Sequence, residues 1–168
     1  MGISLHAISA PIFARHLKGL ADVMRKAQAL YREKNLDETT LLVYRLYPDM
    51  FNFTRQVQAA TDHASTCMAV LAGAEPLKHE GNESSLQALI DRVEKTIAFV
   101  KAVPEEPVNA AESKEVVLKM RDRELKFKGA DLLQNRSLPN FYFHCTTAYG
   151  ILRHNGVEIG KRDFMGAS

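Results

Sequence analysis

Two cysteines, no long apolar run and almost no surplus of either charge are what the chain lacks or nearly lacks. Cys67 and Cys145 lie 78 positions apart and outside any CxxC, which excludes a disulfide scaffold or a zinc ribbon and points to free thiols in a reducing cytosol. No window approaches the roughly 18 apolar residues that can span a bilayer. The first dozen residues also lack a basic segment followed by an apolar run. A formal charge of +2, from 22 basic and 20 acidic residues, is too small to imply nucleic acid or acidic lipid as a partner. The expectation is a soluble, cytoplasmic protein with no nucleic-acid and no membrane partner. What is present is 168 residues, 46% of them apolar, enough for one buried core, so residues 1–168 read as a single domain.

Apolar positions recur at helical spacing along most of the chain. Phe13, Leu17, Leu20, Met24, Ala27 and Tyr31 alternate steps of four and three, which predicts a helix from about Ala10 to Lys34, with Asp37 to Thr40 in the following turn. Met50, Phe53, Val57, Ala60, Ala64, Cys67 and Leu71 predict a second helix, capped by Asp49 and stopped at Gly73. Leu86, Leu89, Ile90, Val93, Ile97 and Val100 predict a third behind Ser84 or Ser85, and Pro104 to Pro107 reads as a short break. Between Glu115 and Lys128 the period falls to two, which predicts a β-hairpin with its turn at Arg121 to Glu124. Asp131 suits the cap of a short turn over Leu132 to Asn135, and Pro139 the first position of a last helix running to Asn155-Gly156. A polar, basic tail follows. The pattern is all-α, a four-helix bundle with a small β-hairpin inserted before the last helix.

Familiar signatures of chemistry are missing. Gly156 to Arg162 has the wrong glycine spacing for a phosphate loop, and neither GxSxG nor HExxH occurs. The informative polar residues are on the second and last helices. Asn140 and His144 are four apart and share a face; Gln56 and His63 are seven apart and nearly in line. These four are the candidate ligand pocket, since sites in bundles are built between facing helices. The simpler reading of each histidine is a core side chain with satisfied ring nitrogens, and of each cysteine a small buried apolar group.

The segment Leu138-Pro-Asn-Phe-Tyr-Phe-His-Cys-Thr-Thr-Ala-Tyr-Gly-Ile-Leu-Arg-His-Asn-Gly156, with Tyr47-Pro-Asp-Met50 and Gly160-Lys-Arg-Asp-Phe164, resembles the bacterial family called domain of unknown function 1993. That family lies within the DinB/YfiT-like superfamily of metalloenzyme-like bundles. The resemblance runs nearly the whole length and implies a DinB-like four-helix bundle, commonly a homodimer. It also implies a divalent metal held by three histidines, one on helix two and two in an HxxxH step on the last helix. Matched to this chain, those positions read Gln56, Asn140 and His144, so His144 alone keeps a metal-ligating imidazole. Two neutral amides and one imidazole are a poor set for zinc or nickel. The expectation is therefore no cofactor and a degenerate metal site, with a small molecule bound in the bundle pocket. The alternative is a divalent metal such as zinc or nickel in a metal-dependent thiol transferase or hydrolase, with His144 as the surest ligand.

Overall fold

The computed structural model describes residues 2–120 and 122–166. Its first long helix, α1 (Ala10–Glu33), follows the apolar stripe read from the sequence, every member of which is buried. Asn35 ends the run in a left-handed conformation, φ 51°. The segment read as a turn after it is a short helix, α2 (Glu38–Leu42). Asp37 extends just before it and accepts a hydrogen bond from the Thr39 amide at 2.9 Å, while Leu41 and Leu42 are buried.

The second long helix, α3 (Phe53–Ala72), starts later than expected. Asn52 caps it, accepting from the Arg55 amide at 3.0 Å, and Met50 sits in a turn closed by Tyr47. Gly73 stops it at φ 65°. In α4 (Leu86–Ala102), Ser85 is the cap, and the helix ends where Pro104 forbids another helical residue before it. Pro104 to Pro107 is not a break: α5 (Glu105–Ala110) begins there, with Glu105 and Glu106 in its first turn and Pro107 where no amide donor is needed.

The hairpin forms in the expected register. Strands β1 (Glu115–Lys119) and β2 (Glu124–Lys128) are antiparallel, with Val116 opposite Phe127 and Leu118 opposite Leu125. Leu118 is the buried member, and β1 leans on α3. Arg121, expected in the turn, lies outside the described residues. The short turn and last helix expected beyond it are one continuous helical run. It comprises α6 (Gly129–Asp131), a π-helical turn (Leu132–Ser137) and α7 (Leu138–His154). Asp131 is itself helical and makes no cap bond, and Pro139 is tolerated inside the first turn of α7.

The polar tail is also structured. Val157 and Ile159 are buried, and α8 (Lys161–Phe164) packs on α1. Arg15 donates to the Met165 carbonyl at 2.9 Å and Lys26 pairs with Asp163 at 2.6 Å. A Cβ on Gly19 would come within 2.9 Å of the Asp163 carbonyl oxygen, so the close approach requires glycine there. The chain is thus mostly helical with one small hairpin. Helix α1 packs on α4 and α7, and α3 packs on α7 and α4. At their centre Phe13 meets Phe141 edge to face, centroids 4.9 Å apart. No helix among the described residues is long and apolar enough to cross a membrane.

Candidate functional site

Because α3 and α7 lie against each other, the first turn of α3 faces the second turn of α7. Gln56 is 1% exposed and His144 8%. The His144 Nδ1 atom is 2.7 Å from the Gln56 Oε1 atom. The other end of the amide is fixed, since Gln56 Nε2 donates to the Phe51 carbonyl at 3.1 Å and a carbonyl can only accept. The hydrogen-bond network therefore assigns the proton to Nδ1, which donates to Gln56, and leaves the lone pair on Nε2.

Three rings lie nearly parallel here. His144 stacks with His63 at 5.6 Å between centroids and with Phe51 at 6.1 Å, and the Arg55 guanidinium sits over Phe51. Burial holds His144 below its ordinary value, and the Arg55 charge adds to this. Burial likewise pushes His63 down to about 4, helped by the neighbouring His144 and Arg136. Both imidazoles are neutral at physiological pH. Asn140 turns away to its own helix, where its Nδ2 donates to the Arg136 carbonyl at 2.7 Å. Of the four residues singled out by spacing, the fold brings Gln56, His63 and His144 together and engages Asn140 locally.

This donor set does not suit the zinc or nickel centre that the resemblance implies. One imidazole nitrogen and the Gln56 oxygen are already bonded to each other, and the other candidate donor is a neutral amide. Among the described residues, no three His, Cys, Asp or Glu side chains gather as a metal cluster.

Open space lies on the hairpin side of His63. A cavity of about 220 Å³ has a buried floor of Cys67, Leu118, Leu132 and Ser137, with His63 and Arg136 half-exposed above it. The π-helical turn shapes this wall. Its hydrogen bonds run to the fifth residue, so Leu132 and Ser137 fall on one side with Arg136 beside them. Burial pushes the Cys67 thiol up to about 12 despite a hydrogen bond with Ser137, so it is no nucleophile. Gln56, Asn140 and His144 lie outside this lining.

A further polar element escaped the sequence reading. Arg92 of α4 is buried, and its guanidinium donates to Thr61 at 2.7 Å, to Glu83 at 2.8 Å and to Asp62. Burial alone would raise the Glu83 carboxyl, yet hydrogen bonds from Arg92 and Gln58 hold it below the usual carboxylate range. The signal was legible: Arg92 is three after Leu89 and four before Thr96, on the buried stripe.

The sequence profile of the family described as domain of unknown function (DUF1993) matches residues 5–165. Among solved structures, a crystal structure of a DinB family member from Shewanella denitrificans shares 36% identity and a TM-score of 0.89, covering 98% of this chain and 93% of its own. Comparison with curated proteins gives no match.

Proposed function

Since the chain belongs to the family called domain of unknown function 1993 and is folded like a DinB family member, we propose that it is a DinB-like four-helix bundle with a degenerate metal site that binds a small molecule. The four long helices α1, α3, α4 and α7 make the bundle, and the hairpin closes one side of the pocket. On the resemblance, the working form is a homodimer, and the two unpaired thiols suit a cytoplasmic location. The observation that carries this reading is the bond between Gln56 and His144, in which the amide oxygen standing where the resemblance places a metal-binding imidazole accepts the His144 Nδ1 proton, so that His144 Nε2 is left as a solitary imidazole donor. The cavity beside His63 offers the space for the ligand.

Metal content measured on purified protein, before and after incubation with zinc or nickel, tests the reading. The expected result is far less than one tightly held metal per chain. The paired substitutions Gln56→His and Asn140→His should restore three imidazoles and raise zinc affinity strongly. Native protein holding about one zinc or nickel per chain, lost in His144→Ala, would overturn the reading in favour of a metal-dependent thiol transferase or hydrolase.

A further inference from the structure

Resting on the reading of the cavity as a binding site, we propose that its ligand is a small carboxylate with a compact apolar body, its carboxylate held by Arg136. Three observations converge on that class. Arg136 forms no ion pair among the described residues, and its guanidinium meets only the Met120 thioether, a weak acceptor, at 3.5 Å. Asp62, the one acid on the cavity wall, is already matched by Arg92 and Arg55. Lys119 stands at the exposed rim, so the residues lining the cavity carry two positive charges against the single negative one of Asp62.

The floor is the second constraint. Leu118, Leu132 and the protonated Cys67 thiol make up most of it, and the Ser137 hydroxyl beside them is engaged with Cys67, which favours an apolar body. Size is the third. A cavity of about 150 Å³ lined by aliphatic and aromatic side chains holds benzene, so about 220 Å³ admits one ring, or a chain of similar bulk, with a carboxylate attached. A planar guanidinium suits that group because its parallel N–H donors match the two carboxylate oxygens. A dianion such as a phosphate monoester fits less well, since Asp62 is on the same wall.

Phenylacetate and hexanoate, with phenylacetamide as the uncharged match, test the class by thermal shift and titration calorimetry on the full chain. Both carboxylates should stabilise the folded protein by mass action, and the amide should not. Arg136→Gln should weaken carboxylate binding about tenfold or more, and Arg136→Lys should recover part of it. Amide-proton chemical shifts of the unaltered protein supply a readout independent of any variant, with changes expected at Leu118, Leu132 and Arg136 on adding phenylacetate. Equal binding of acid and amide, or undiminished binding in Arg136→Gln, overturns the carboxylate class while leaving a binding site. Binding of neither probe overturns the inference. The metal measurement above tests the underlying reading separately.

Discussion

A partly buried histidine that stays neutral costs stability wherever the unfolded chain would take up a proton that the folded one refuses. His63 is in that position, with a folded pKa of about 4 against an ordinary 6.5. Between those values the unfolded state binds more protons, so stability is complete above the ordinary value and falls as pH drops toward the folded one. A shift of this size amounts to about 3 kcal/mol at most, by the usual conversion. Urea unfolding at about pH 7.5 and about pH 4.5 should therefore show a fall that His63→Phe, which keeps a ring against His144, largely removes. What slope remains belongs to His144, His16 and His79, also lowered chiefly by burial, and at the acid end to carboxyls such as Glu83 that the fold holds low. An unchanged pH dependence in the variant would reject the neutral-imidazole account.

At the scale of the element, caps decide where the site residues stand. Asn52 starts α3 only four residues before Gln56, so its side chain sets both the helix boundary and the approach of the amide to His144. Asn52→Ala should lower stability by about 1 kcal/mol, and Asn52→Asp should keep most of it, as read by thermal unfolding. The elements legible in the sequence were those long enough to show a period. The stripes of α1, α3 and α4 and the alternation of the hairpin recur in the fold, whereas on α7 Ala148, Ile151 and Leu152 are buried but Phe143, expected on the same face, is exposed. Helices α2 and α5 span five and six residues, too few for a period to stand out, and their only signals were the Asp37 cap and the acidic pair at Glu105 and Glu106. The π-helical turn left no signal, because Leu132 to Ser137 is compatible with an ordinary helix. Within the site, spacing paired Gln56 with His63 and Asn140 with His144, and the bundle reading set the two pairs facing each other; the fold gathers three of the four and turns Asn140 to its own helix. The cavity was not legible, since it depends on where β1 leans on α3 and on the wider turn before α7.

At the scale of the whole molecule, the last residues act as a clasp on the first long helix. Residues 160–166 reach α1 through Arg15, His16, Lys26 and the close approach at Gly19. Gly19→Ala should push that segment outward and lower stability by about 1–3 kcal/mol, with faster hydrogen exchange confined first to residues 160–166. Unaltered exchange there would show that the contact bears no strain. The two buried cysteines have a consequence of the same scale. Burial raises both thiols, so little thiolate is present to react until the chain opens. Alkylation by iodoacetamide followed by mass spectrometry then becomes a clock for breathing motions. Cys145, sealed among the long helices, should be modified only at the rate of global opening, and Cys67, under the cavity, sooner. A bulky apolar guest in that cavity should slow the second timer and leave the first unmoved.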